Sequence, residues 1–159
     1  MSKAIIKTEK GDMTVQFYDV DAPNTVANFL KLAKQGYYDG VTFHRVINDF
    51  VIQGGDPTGT GTGGPGFNIP DENLPQPTEN NYPAGTVAMA NAGPGTSGSQ
   101  FFLVYQDTTL ENAAYTIWGS ITSGLDILQT IASAGVVDGG ADGAPATGVT
   151  IESTKVTIS

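Results

Sequence analysis

Phe43-His44-Arg45-Val46-Ile47-Asn48-Asp49-Phe50-Val51-Ile52-Gln53-Gly54-Gly55-Asp56 places the chain's only histidine beside its only arginine and runs on into an apolar segment. A rigid, permanently charged hydrogen-bond fork can come only from Arg45, because the other cations are lysines, each a flexible point charge. Read as an extended strand, the opening residues send Phe43 and Arg45 to one face and His44 to the other. The same alternation groups Val51 with Gln53 and sets Phe50 and Ile52 opposite, so a returning strand brings Gln53 within reach of Arg45. A bend at Asn48-Asp49 is the place where that grouping could change.

Outward from this segment, short β-rich runs recur at Ala4 to Thr8, Met13 to Tyr18, Val41 to Val46, Thr86 to Ala90, Gln100 to Tyr105, Thr116 to Ile121 and Val149 to Ile158. With Phe50 to Gln53 these make eight strands, the first two joined as a hairpin through Glu9-Lys10-Gly11-Asp12. Pro23 suits a first helical turn. Val26, Phe29, Leu30 and Ala33 then follow at helical spacing until Gly36, and Leu125, Ile127, Leu128, Ile131 and Ala132 predict a second, shorter helix. Eight short strands and two helices indicate an antiparallel barrel or sandwich. Glycine and proline cluster at 54–77, 93–98 and 135–148, which read as loops within one domain spanning 1–159, because strand patterns resume after each.

Composition removes several classes of function. At 159 residues one domain with a substantial core is expected. A formal net charge of -9 argues against a nucleic-acid partner, which requires clustered Lys and Arg. The absence of cysteine excludes disulfides, thiolate catalysis and cysteine-type zinc sites. No apolar run approaches the roughly 18 to 20 residues of a membrane span, so no membrane partner is expected. Lys3-Ala4-Ile5-Ile6-Lys7 is too short and too soon charged for a signal peptide, and the chain reads as cytoplasmic, although a recloned mature secreted domain would look the same.

Gly59, Gly61 and Gly64 fit a dinucleotide pattern formally, but Pro65-Gly66-Phe67 follows where a helix is needed, and a flexible surface loop is the better reading. Asp138 and Asp142 hint at a calcium loop, yet Val149 stands where the bidentate glutamate belongs, which favours a solvated acidic turn. Ser97 and Ser99 lack a nucleophile elbow, and His44 is expected to be a partly buried core residue whose ring nitrogens are satisfied rather than a general base. Trp118 sits in an alternating strand and reads as core. Met89-Ala90-Asn91-Ala92-Gly93 is different, because small residues at a strand end clear room for an extended peptide at Asn91 or, equally, for tight strand packing.

Taken in order, Phe43 to Val46, Phe50 to Asp56, Gly61 to Gly64, Met89 to Gly93 and Gly98 to Phe102 resemble the signature blocks of the cyclophilin family of peptidyl-prolyl cis/trans isomerases over nearly the whole chain. The resemblance implies a mainly β fold, a closed eight-stranded antiparallel β-barrel capped by two α-helices. It implies Arg45 as the catalytic arginine and Gln53 as its support. The proline pocket falls on Phe50, Val51, Phe102 and Leu110, with Asn91 bonding the peptide backbone and Ala90, Ala92, Gly61 and Gln100 shaping the groove. Val51 replaces a common methionine and Tyr115 a common histidine. Leu110 occupies the neighbourhood of a ligand-contacting tryptophan, so weak cyclosporin binding is expected.

The implied activity is acceleration of rotation about X-Pro bonds in unfolded or flexible protein segments, by a monomer, with no cofactor and no metal. The alternatives are a non-catalytic proline-peptide binding module and a holdase-type folding helper. Retention of both Arg45 and Gln53 argues for the enzyme, since binding alone could rely on the pocket.

Overall fold

The computed structural model describes residues 2–146 and 151–158. Strands β1 (Ser2–Thr8) and β2 (Gly11–Phe17) form the expected hairpin, and Ala4, Ile6, Met13, Val15 and Phe17 alternate into the core. Helix α1 (Pro23–Lys34) follows, burying Val26, Phe29, Leu32 and Ala33 along one stripe. Its cap residue, Ala22, has no side-chain acceptor. The carboxylate of Glu72 takes that place, accepting from the Thr25 N–H and the Asn24 amide.

The remaining elements are β3 (Arg45–Ile47), β4 (Val51–Gly54), β5 (Thr86–Met89), β6 (Phe101–Val104), β7 (Ile117–Ser123), α2 (Leu125–Ser133), β8 (Asp142–Gly143) and β9 (Ile151–Ile158). They form one antiparallel sheet in the order β8-β3-β4-β6-β5-β7-β2-β1-β9. Irregularities at Lys7/Thr8, Thr14/Val15 and Val87/Ala88 increase its coiling.

The sheet curls as a half-barrel, and the expected closure is not seen: β8 and β9 end the ladder, and no described hydrogen bond joins them. Strand β8 is an addition to the eight expected strands. Two residues in a glycine-rich stretch carry no alternation, and they become a strand only by pairing with Val46 and Ile47. Of the last expected strand, Val149 and Thr150 lie outside the described residues.

Three strands are buried on both faces. In β4, β5 and β6, Ile52, Val87, Met89, Phe101 and Leu103 join the main core, while Val51, Ala88, Phe102 and Val104 join a second, smaller apolar cluster. This explains why Phe101-Phe102-Leu103-Val104 is continuously apolar instead of alternating. Trp118 lies in the main core, its ring 4.8 Å from Phe29 and 5.5 Å from Phe17. Among the described residues no helix is long and apolar enough to cross a membrane.

Candidate active site

Pairing of β3 with β4 sets Arg45 directly opposite Gln53 and Ile47 opposite Val51, so these four side chains share a face. The Arg45 guanidinium donates from Nη1 to Gln53 Oε1 at 3.3 Å. Gln53 Nε2 donates in turn to Gln100 Oε1 at 2.9 Å, because β6 lies beside β4 and Gln100 immediately precedes it. Gln100 Nε2 completes the series, donating to the carbonyls of Gly61 at 2.8 Å and Gly63 at 3.1 Å. Arginine, two amides and a glycine loop thus form one connected line.

That loop is anchored, contrary to the expectation of a flexible one. The carboxylate of Asp56, fully buried, accepts from the backbone N–H groups of Thr58 (2.8 Å), Thr60 (3.1 Å), Gly61 (2.7 Å) and Gly63 (3.1 Å), and from the Thr58 hydroxyl. Burial opposes its charge, but the bonds from Thr58, Gly63 and Gly61 outweigh burial and hold the carboxyl far below the usual range. Glycine is required at 63, where a Cβ would collide with this carboxylate, and at 61, where φ is +90°.

On its other side Arg45 meets Asp142. Nε donates to Oδ1 at 2.8 Å and Nη2 to Oδ2 at 2.7 Å, a bidentate pair. Asp142 is exposed, as a solvated acidic turn would be, but it stands in a short strand and its carboxylate is taken up by Arg45. Its partner lies 97 positions away, beyond any local pattern.

The face assignment at the start of the segment also needs correction. Strand geometry begins only at Arg45, so alternation does not extend back to Phe43. Phe43 packs in the main core, edge-on to Phe101 at 6.2 Å, while Arg45 is 43% exposed. The His44 ring turns under the glycine loop, its nitrogens buried without a hydrogen-bond partner among the described residues. Burial lowers its pKa, the nearby Asp56 opposes this and Arg45 adds to it, so His44 is held toward its neutral form. His44 and Arg45 line one hollow of about 340 Å³.

A larger groove of about 740 Å³ is lined by Arg45, Gln53, Gly61, Ala90, Asn91, Ala92 and Gln100, all singled out in the sequence. Asn91 spends its side chain internally, donating to Ala114 O at 2.9 Å and accepting from the Gly93 N–H at 3.1 Å. No described hydrogen bond uses its backbone.

The other expected site residues gather in the second apolar cluster: Phe50, Val51, Phe102, Leu110 and Tyr115, with Ala90 at its edge. Phe102 is its hub, 6.0 Å from Phe50 and 5.4 Å from Tyr115 between ring centroids. Phe50 joins Val51 here rather than Ile52, because Asp49 at φ +60° bends the chain just before it. Sequence reasoning missed Tyr82, whose buried hydroxyl donates to Tyr115 O at 2.8 Å and accepts from the Tyr115 N–H at 3.1 Å. It also missed Asn81, which makes two 2.9 Å bonds to the Leu110 backbone. Asp56 could have been noticed, since a lone carboxylate preceding alternating threonines and glycines has many nearby donors.

The sequence profile of the family described as Cyclophilin type peptidyl-prolyl cis-trans isomerase/CLD matches residues 3–156. A peptidyl-prolyl cis-trans isomerase of Synechococcus elongatus is 53% identical over 119 residues, 75% of this chain and 79% of that protein. Peptidyl-prolyl cis-trans isomerase B of Bacillus subtilis is 48% identical over 122 residues, 77% of this chain and 84% of that one. Among solved structures, a Cryptosporidium parvum cyclophilin-type isomerase crystallised in the presence of the dipeptide Ala-Pro superposes with a TM-score of 0.87 at 33% identity, covering 99% of each chain.

A buried carboxylate with a depressed pKa stabilises the fold fully above the unfolded value, near pH 4, and loses that contribution as pH falls toward the folded value. Asp56→Asn is therefore expected to cost about 1 to 3 kcal/mol at pH 7, by leaving loop donors unsatisfied. It should also flatten the decline in stability below about pH 4. Urea unfolding of both proteins at pH 7, 4 and 3 checks this; parallel declines would remove Asp56 as a source of the acid sensitivity.

Proposed function

Because this chain belongs to the cyclophilin-type peptidyl-prolyl cis-trans isomerase family, we propose that its isomerase reaction takes place where the amide-lined groove meets the Phe102 cluster, with Arg45 as the catalytic residue. The observation that carries this reading is the position of the Arg45 guanidinium. It is supported by Gln53, borders the groove, and lies on the same sheet face as Val51 of the apolar cluster.

An X-Pro bond rotates over a barrier of about 18 to 20 kcal/mol and relaxes in tens to hundreds of seconds. Turnover a thousand to a hundred thousand times faster requires removal of about 4 to 7 kcal/mol. No covalent bond breaks. The barrier is amide resonance, and a donor directed at the prolyl nitrogen stabilises its lone pair as the carbonyl twists out of conjugation. A preorganised donor supplies about 3 to 4 kcal/mol of such stabilisation.

In this reading Phe50, Val51, Phe102, Leu110 and Tyr115 hold the proline ring. The Asn91 backbone bonds the preceding residues, with Ala90, Ala92, Gly61 and Gln100 shaping the approach, and the acyl side rotates. Proline-containing segments of unfolded or flexible chains are the substrates. The Ala-Pro dipeptide used with the Cryptosporidium relative supports that class. Exchange NMR on an Ala-Pro peptide, with and without the protein, tests the activity directly.

Arg45→Ala is expected to remove at least about nine-tenths of kcat/KM with the fold retained. Arg45→Lys should fall nearly as far, because a point charge does not reproduce the fork. Wild-type rates in either variant, at unchanged melting temperature, would take Arg45 out of the mechanism.

Turnover is expected to be flat between about pH 6 and 8, since the reaction moves no proton, Arg45 stays charged and His44 is held toward its neutral form. The same flat profile is expected for His44→Gln. A step near pH 6.5 in the wild type alone would assign His44 a role in catalysis.

We also propose that cyclosporin binds weakly here, because Leu110 has less area than an indole and no N–H to donate. Calorimetry should show tighter binding to Leu110→Trp; equal affinities would displace Leu110 from the ligand surface.

A further inference from the structure

Arg45 has five N–H donors in one plane. Three are engaged: Nε and Nη2 each give one to the two oxygens of Asp142, at 2.8 and 2.7 Å, and Nη1 gives one to Gln53 at 3.3 Å. Two remain, one on each terminal nitrogen.

The two partners constrain the guanidinium differently. A single long bond to Gln53 leaves the plane free to turn about it. A bidentate pair along the Nε edge fixes both the plane and the direction of the tip. Asp142 can do this because it sits opposite Ile47, and alternation returns Arg45 and Ile47 to the same face.

The short strand is itself held in place. Asn48 N–H donates to Ala141 O at 2.8 Å, Val137 N–H donates to Ala144 O at 2.8 Å, and Val136 pairs with Pro145 behind it.

Asp142 does not line the 740 Å³ groove; it borders the smaller hollow, which shares Arg45, Gln53 and Gly61 with the groove. Its carboxylate takes the Nε and Nη2 N–H groups, while Nη1 holds Gln53, a residue that does line the groove.

We propose that Asp142 is a positioning residue of the isomerase: by clamping the Nε edge of Arg45 it turns the two remaining N–H groups toward the groove and fixes them there before substrate arrives. The clamp rests on the assignment of Arg45 as catalytic and deepens it. Preorganisation of this kind acts on the transition state more than on ground-state affinity, so its loss appears mainly in kcat.

The test measures kcat and KM by exchange NMR for Asp142→Ala, Asp142→Asn and Asp142→Glu, each in the wild-type and Arg45→Lys backgrounds. In the wild-type background the Ala and Asn variants are expected to lose about tenfold in kcat/KM, chiefly through kcat, and Glu to recover part of the loss. In the Arg45→Lys background Asp142→Ala should cost less than about twofold, since there is no fork left to orient. Asn preserves the volume of the side chain and Glu its charge, which keeps the test decisive if Ala disturbs the loop.

Wild-type kcat/KM in both Ala and Asn, a rise in rate, or an equal loss in the two backgrounds would overturn the proposal. Wild-type activity of Arg45→Lys alone would overturn the assignment of Arg45 instead, so the two failures are distinguishable.

Discussion

Burial of β4, β5 and β6 on both faces is the constraint on which the other features depend. A sheet covered on one side only tolerates polar residues on the other, but here a slip of one residue would exchange the main core with the Phe102 cluster along a whole strand. Phe101 and Leu103 would be driven into a space shaped for Phe102 and Val104. Register is therefore strongly specified in the middle of the sheet. Strand β3 inherits that register through β4, which is why Arg45 meets Gln53 rather than a neighbour.

The same constraint accounts for the location of the proposed site. The main core is sealed by the helices and the β1–β2 hairpin. The second cluster is small and only partly covered, with Phe50, Leu110 and Tyr115 half-buried at its margin. Apolar surface that stays accessible beside a charged donor is suited to a ring carrying no hydrogen-bond donor of its own. The groove adds the complementary part, glycine, alanine and amide groups that an extended backbone can approach closely.

Much of this was legible in the sequence, for identifiable reasons. The hairpin, α1 and the β4–β6 runs carry strong local patterns, and Arg45 and Gln53 are brought opposite by two short strands joined through the bend at Asn48-Asp49. Alternation failed two residues earlier, at Phe43, because it holds only where the chain is extended, and extension begins at Arg45. Asp142 was hidden for another reason. Its role depends on a strand of two residues whose only cause is the neighbour it pairs with, a tertiary effect with no local signal. Asn81 and Tyr82 were hidden likewise, since each acts on backbone about thirty residues away.

The line from Arg45 to the glycine loop has a polarity. Each amide has one end that donates and one that accepts, and every bond along the line runs the same way, from guanidinium to Gln53, to Gln100, to the carbonyls of Gly61 and Gly63. Reversing Gln100 would point its oxygen at those carbonyls and its nitrogen at Gln53. Gln53 would then have to reverse as well and present N–H to N–H at the arginine. The loop that carries those carbonyls is held by Asp56 through the Gly61 and Gly63 N–H groups, which keeps both carbonyls within reach of Gln100. A buried carboxylate that touches neither amide thus holds the acceptors at one end of the line, the guanidinium, which only donates, closes the other, and the two glutamines between them are left one orientation, as a row of dominoes can fall in only one direction.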